Sequence, residues 1–295
     1  MLTGRVIRAI GGFFYVEPLG EAFTSVECFV RGKMKLSAET ILVGDQVTYF
    51  MENGKGVITG IIERLNVLKR PYIANVNLLV LVFAFQNPKP NEILITKFLV
   101  LAEQSRIPLL LVLNKTDLVS EAEIGQLSGK LRQYGYQVIC TSVVTNQGKS
   151  ELLSALNGKV TVFAGPSGVG KSALLNMIAP GFKLQTGAVS QKIGRGKHTT
   201  REVQLYRINA NSYVADTPGF TQIAFEGIAP EKLKEFFPDF REYNSICRFK
   251  GCIHLAEPDC GVKQAVENGV ISRQRYEAYL NLLAEIRQNW KNRYR

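Results

Sequence analysis

Several short stretches of this 295-residue chain carry residue types at spacings that do chemistry. Gly165-Pro166-Ser167-Gly168-Val169-Gly170-Lys171-Ser172-Ala173 fits the pattern G-x-x-x-x-G-K-S and follows an apolar run ending at Phe163. Glycines at those places let successive N–H groups turn inward on an anion, and a helix opening at Lys171 adds the positive end of its dipole. Lys171 can then reach the outer phosphate oxygens, and the Ser172 hydroxyl suits Mg²⁺. Asp216-Thr217-Pro218-Gly219 would be an ordinary turn in isolation. Beside a phosphate loop, Asp216 becomes a partner for Mg²⁺, and the Gly219 N–H becomes a sensor of an intact triphosphate.

Asn114-Lys115-Thr116-Asp117 and Thr141-Ser142-Val143 each end an apolar, strand-like run, where ligands bind in open α/β sheets. A carboxylate at Asp117 can accept two hydrogen bonds from N1 and the 2-amino group of guanine, a donor pair that adenine lacks, so GTP is favoured over ATP. Cys247, Cys252, His254 and Cys260 form C-x₄-C-x-H-x₅-C, a complete Cys₃His set for one tetrahedral Zn²⁺. Four protein ligands leave no position for water, so that ion should be structural. Cys28 and Cys140 read as ordinary buried thiols outside the set.

Positioning these groups takes more than one domain. The length favours two or three cores, and the composition, 46% hydrophobic and 21% charged, excludes disordered and low-complexity classes. No apolar run approaches the ~20 residues that cross a bilayer, and the N-terminus lacks a signal-peptide core, so the expectation is a cytoplasmic protein without membrane contact. Short alternating runs at 4–10, 13–17, 26–30, 46–50 and 57–62 predict five strands, with Asn53-Gly54 as a hairpin turn. Five strands in about 60 residues is the size of an OB-type barrel. From residue 76 the pattern becomes continuous apolar strands at 76–85, 107–113, 136–140 and 159–163, alternating with helices at 91–104, 121–133 and 149–156. That alternation predicts a sheet covered on both faces, to which 203–208 and 212–215 add a hairpin. The remainder reads as helix, a Cys/His knuckle and a closing helix over 272–290 with Ser272 as its N-cap.

The phosphate, magnesium and base-reading elements resemble those of P-loop GTPases, in a rotated order: the loops at 114 and 141 precede those at 165 and 216. This is a circular permutation, tolerated because domain termini tend to lie close together at the surface. Permutation, an N-terminal barrel, a C-terminal Cys/His module and the segments R-G-K at 31–33, V-G-D at 43–45, K-R-P at 69–71 and G-R-G-K-H-T-T at 194–200 together resemble the RsgA family of small ribosomal subunit biogenesis GTPases. The resemblance implies an OB-type RNA-binding barrel over 1–69, a circularly permuted GTPase domain over 70–220 and a zinc-binding helical domain over 221–295. It implies GTP hydrolysis to GDP, stimulated by the 30S subunit and its 16S rRNA during late maturation, by a monomer.

The resemblance also implies a threonine, Thr199 or Thr200, that ligates Mg²⁺ and closes over the γ-phosphate. Phe220 stands where many GTPases carry a water-orienting Gln, so intrinsic turnover should be slow. His198 is the candidate to replace that Gln, against a packing or RNA-contact role. Lys192, Arg195, Lys197 and Arg201 fit either an RNA-phosphate contact or a solvated loop. The net charge is +11, yet residues 1–66 hold seven basic and seven acidic side chains, so RNA contact by the barrel follows from the resemblance rather than from charge. Its aromatics Phe13, Phe14, Tyr15, Phe29, Tyr49 and Phe50 fit base stacking or core packing, with Arg31, Lys33 and Lys35 as phosphate contacts. Arg287, Lys291, Arg293 and Arg295 fit rRNA contact or favourable charge at a helix C-terminus. Two rivals remain open: a GTPase of another RNA assembly such as the large subunit, and a GTP-gated RNA-binding scaffold.

Overall fold

The computed structural model describes residues 1–20, 24–31, 40–69, 71–179, 203–216 and 227–293. The first five strands, β1 (Leu2–Ile10), β2 (Phe13–Pro18), β3 (Val26–Val30), β4 (Gln46–Glu52) and β5 (Lys55–Ile61), close into a barrel in the order β1-β2-β3-β5-β4. Closure comes from antiparallel β1–β4 pairing, and β3 runs parallel to β5. Positive φ at Asn53 (50°) and Gly54 (78°) turns β4 into β5 in two residues, as the Asn-Gly pair predicts. Val6, Val16, Cys28, Val47, Tyr49 and Ile58 fill the interior.

A short hairpin, β6 (Val67–Lys69) with β7 (Tyr72–Ala74), leads out of the barrel. The sequence reading has no strands there, because three-residue runs carry no usable periodicity. The second sheet follows: β8 (Leu78–Ala84), β9 (Leu109–Asn114), β10 (Gln137–Thr141), β11 (Val160–Ala164), β12 (Leu205–Asn209) and β13 (Ser212–Asp216), in the order β10-β9-β8-β11-β13-β12. All its pairings are parallel except the β12–β13 hairpin. Asn209 pairs with Ser212, so Ala210-Asn211 forms the turn of this hairpin.

Every residue of β8 and β11 is buried, which is why these strands are continuously apolar. One face, with Leu79, Leu81 and Phe83, packs on α1 (Glu92–Gln104) and α2 (Glu121–Gln133). The other, with Leu78, Val80 and Val82, packs on α3 (Lys149–Leu156) and α4 (Lys171–Ile178). Asn91 caps α1 through the Leu94 N–H at 2.8 Å, and Ser120 with Glu123 forms a capping box on α2.

The C-terminal part holds 3-10 helices at Pro230–Phe236 and Pro238–Phe240, then α5 (Arg241–Asn244), α6 (Gly261–Glu267) and α7 (Arg273–Arg293). Ser272 Oγ accepts from the Arg275 N–H at 3.2 Å, the capping contact expected of it. Its core of Phe237, Phe240, Tyr279, Leu282 and Ile286 includes Val100 of α1, so this part is packed on the outer side of that helix. Arg275 is fully buried at that seam. Its Nε and Nη2 each donate 3.0 Å to the Asp239 carboxylate, Nη1 donates 3.1 Å to Thr96 Oγ1, and the guanidinium lies 4.3 Å from the ring centres of Tyr134 and Phe237.

Candidate nucleotide and metal sites

The buried strand β11 delivers the chain into the glycine-rich loop, and α4 begins at Lys171. Gly165 has φ +139°, and a Cβ there would stand 2.2 Å from the Val82 carbonyl oxygen. Gly170 has φ +95°, and its Cβ would meet Asn114 Nδ2 at 2.4 Å. Only glycine fits either place, so the G-x-x-x-x-G spacing is a packing requirement of this fold. Val169 is buried as the loop's anchor, whereas Ser167 and Gly168 are exposed at its tip. Lys171 Nζ donates to the carbonyls of Gly165 (3.0 Å) and Pro166 (2.8 Å), which holds the cation over the loop. Ser172 and Ala173 are half-buried in the first turn of α4.

The loop at 114–117 is tied directly to this one. Asn114, buried at the end of β9, donates from Nδ2 to the Val169 carbonyl at 2.9 Å and accepts from Thr141 Oγ1 at 3.1 Å. Lys115, in the left-handed region at φ 67°, donates from Nζ to the Gly168 carbonyl at 2.8 Å and to the Asn87 carbonyl. Ser142 Oγ donates to Asp117 Oδ1 and accepts from the Thr145 N–H, so the second base-side loop orients the exposed Asp117 carboxylate. Thr116 Oγ1 donates to Gln147 Oε1 at 2.6 Å. Asn87 and Gln147 went unnoticed in the sequence. They lie in polar turns with no motif, and only the fold brings them to the site.

Asp216 ends β13 in register with Phe163, two residues before the glycine-rich loop. Its carboxylate, together with Thr217, Pro218, Gly219, Phe220, His198, Thr199, Thr200, Lys192, Arg195, Lys197 and Arg201, lies outside what the structure describes.

Cys247, Cys252, His254 and Cys260 converge, with all four ligand atoms within 4.8 Å of one another. His254 Nδ1 lies 3.7, 3.4 and 3.2 Å from the sulfurs of Cys247, Cys252 and Cys260. Those separations suit a tetrahedron around an ion with Zn–S of about 2.3 Å and Zn–N of about 2.0 Å. The left-handed φ of 57° at His254 lets Cys252 and His254, two residues apart, face one point. The ring lies 6.2 Å from that of Phe240 and 6.1 Å from that of Tyr279, whose hydroxyl donates to the Ile253 carbonyl at 2.7 Å. Burial, followed by the Lys234 charge, pulls the His254 imidazolium down to about 4, so nitrogen stays neutral and free to ligate. Burial raises the thiols of Cys252 and Cys260, a cost that a bound cation reverses. Cys28 is buried, its thiol pushed up to about 11, and Cys140 is half-buried.

The barrel's aromatics divide. Tyr49 is core, whereas Phe13 and Phe50 are about two-fifths exposed, at 42% and 41%. Lys55 Nζ lies 5.4 Å from the Phe13 ring centre, and the Arg31 guanidinium 5.2 Å from that of Phe29. Lys33 and Lys35 lie outside the described residues. Arg287 and Lys291 are exposed on α7, and the side chains of Arg293 and Arg295 are not described. Among the described residues, no helix is long and apolar enough to cross a membrane.

Comparison with known proteins gives one consistent result. The family model described as RsgA GTPase matches residues 61–226, and that described as RsgA N-terminal domain matches residues 3–58. The "Small ribosomal subunit biogenesis GTPase RsgA" of Caldanaerobacter subterraneus subsp. tengcongensis is 42% identical, covering 100% of this chain and 99% of that protein. Its counterpart from Geobacillus kaustophilus is 44% identical over 100% of both. Among solved structures, YloQ, described as a circularly permuted GTPase, superposes with a TM-score of 0.82 at 38% identity, covering 98% of this chain and 96% of that one. YjeQ from Thermotoga maritima gives 0.83 at 38% identity, covering 97% and 98%.

Proposed function

Because the chain belongs to the RsgA GTPase family, and is accordingly a circularly permuted GTP hydrolase, we propose that it binds the small (30S) ribosomal subunit and assists its late maturation, with turnover stimulated by that subunit. The observation that carries the reading is the double tie of Asn114 to Val169 and Lys115 to Gly168, which makes guanine and phosphate recognition one rigid surface. Residues 1–69 serve as the RNA-binding barrel, 70–220 as the GTPase and 221–295 as the zinc-binding helical domain. The protein works in the cytoplasm as a monomer on 16S rRNA, and the exposed Phe13 and Phe50 are its barrel-side stacking surfaces.

In the reaction, Asp117 accepts from N1 and the 2-amino group of guanine, and Ser142 holds that carboxylate in place. Backbone N–H groups over 165–173 cradle the phosphates, and Lys171 exchanges its two loop carbonyls for phosphate oxygens. Ser172, Asp216 and Thr199 or Thr200 would hold Mg²⁺, which would supply positive charge to the phosphates during transfer. Water attacks the γ phosphorus, the bond to the bridging oxygen breaks, and GDP and phosphate leave. Gly219 donates its N–H to the γ-phosphate, and His198 orients the water in place of the Gln that Phe220 replaces. Cys247, Cys252, His254 and Cys260 would hold one structural Zn²⁺, tying the C-terminal segment together.

The test pairs binding with sedimentation. Titration with GTP and ATP should show selective GTP binding, and the protein with a non-hydrolysable GTP analogue should co-sediment with purified 30S subunits. His198→Ala should keep both and lose most of the stimulated rate. Equal affinity for ATP, or no co-sedimentation, contradicts the reading.

A further inference from the structure

Barrel and α/β sheet meet where β1 and β2 lie against the β12–β13 hairpin, and beside an apolar cluster that includes Ile7, Val43 and Leu205 the contact holds a buried hydrogen-bonded charge cluster. The Tyr213 hydroxyl donates 3.1 Å to Glu17 Oε2, joining residues 196 apart in sequence, and accepts 2.8 Å from Arg207 Nη2. Arg207 Nε lies 2.9 Å from the same Oε2, and Glu17 is only 8% exposed. Arg5 of β1 places its guanidinium 5.4 Å from the Tyr213 ring centre and donates 3.0 Å to the Gly44 carbonyl. Arg8 of β1 forms an antiparallel bridge with Gln204, one residue ahead of β12.

The cluster's position matters because of what the hairpin carries. Gln204 stands four residues after Thr200, at the entrance to β12, and Asp216 stands three after Tyr213, at the exit of β13. Both chain segments assigned to magnesium and the γ-phosphate therefore join the sheet through an element that the barrel grips at each end. An apolar contact could slide under load. A buried cluster in which one carboxylate serves a guanidinium and a hydroxyl together has few alternative arrangements, because a displaced partner leaves charge away from water. Motion of the barrel must move the hairpin or break the cluster.

We propose that Glu17 and Tyr213 are positioning residues for GTP hydrolysis, the contact through which docking of the barrel on its RNA partner sets the strand that ends at Asp216. The proposal rests on the functional reading above and adds the route by which that partner controls the rate.

The test uses the full chain with Glu17→Gln and with Tyr213→Phe, which removes a single hydroxyl. In each, GTP affinity and basal turnover should stay within about twofold, while the 30S-stimulated kcat falls about tenfold and the KM for 30S changes by less than about threefold. The double variant should fall short of the sum of the two single losses, since both perturb one coupled cluster. Full stimulation in both variants overturns the proposal, as does an equal fall in basal and stimulated rates, which would mark a purely structural role. A second readout needs no ribosome: hydrogen exchange over residues 2–18 should differ between GDP and a non-hydrolysable GTP analogue in the parent protein, and the difference should vanish in Tyr213→Phe. A difference that persists in the variant, or is absent from the parent, also overturns it. A parent protein that 30S fails to stimulate rejects the functional reading, and the exchange comparison still decides the clasp.

Discussion

Asn114 donates from its side-chain amide to the Val169 carbonyl at 2.9 Å, linking residues 55 apart and so tying the loop at 114–117 to the glycine-rich loop. The permutation reverses the order in which these loops occur along the chain but leaves the tie intact, because β9 and β11 both flank β8. Asn114→Ala strands the buried Val169 carbonyl and Thr141 hydroxyl, at about 1–3 kcal/mol. Thermal unfolding should register that loss, and GTP affinity should fall at least about tenfold. Gly170→Ala should abolish binding, since its Cβ would sit 2.4 Å from the same amide. Near-normal GTP titrations in either variant would contradict the shared surface.

Asp117→Asn replaces an acceptor with a donor where guanine presents its 2-amino group. Preference should move from GTP towards xanthosine triphosphate, whose 2-oxo group accepts. Competition titrations that leave GTP preferred as before would remove Asp117 from base reading.

Much of this site is legible in the sequence because its chemistry is local. Gly165 to Ser172 and Asn114 to Asp117 are short runs whose residue types follow from phosphate geometry and from the guanine edge. The five barrel strands and the βα alternation are equally visible, since burial on one face or two writes itself as period. What stays hidden is assembled over distance. Glu17 and Tyr213 are an ordinary strand Glu and an ordinary strand Tyr until 196 residues of folding bring them together. Arg275 looks like a solvated helix residue and is fully buried. No local pattern marks a buried charge whose partner lies elsewhere in the chain.

That Arg275 supplies a stability prediction. Asp239→Ala leaves a buried guanidinium without its carboxylate and should cost about 3–5 kcal/mol. Denaturant unfolding followed by the single tryptophan, Trp290 on α7, reads the loss directly. A change below about 1 kcal/mol would mean that the pair is solvated in solution.

The Cys₃His cluster predicts about one Zn²⁺ per purified chain, and elemental analysis showing none would defeat it. Because burial raises the Cys252 and Cys260 thiols, zinc uptake near pH 7 should release their protons, seen as heats that depend on the buffer's ionisation enthalpy. In the metal-free protein, His254 falls from 6.5 to about 4 on folding. Its contribution to stability is therefore present above pH 6.5 and lost as pH falls towards 4. His254→Asn should flatten that part of the unfolding profile, and identical slopes in parent and variant would contradict the assignment. Cys252→Ser should loosen residues after 246 while GTP binding persists.

The proposed switching of a slow GTPase by the small subunit is tested by steady-state GTP turnover of the full chain alone, with purified 30S and with purified 50S particles. Turnover should be slow alone, rise at least about tenfold with 30S, and change little with 50S. Equal stimulation by both particles, or by neither, would contradict it.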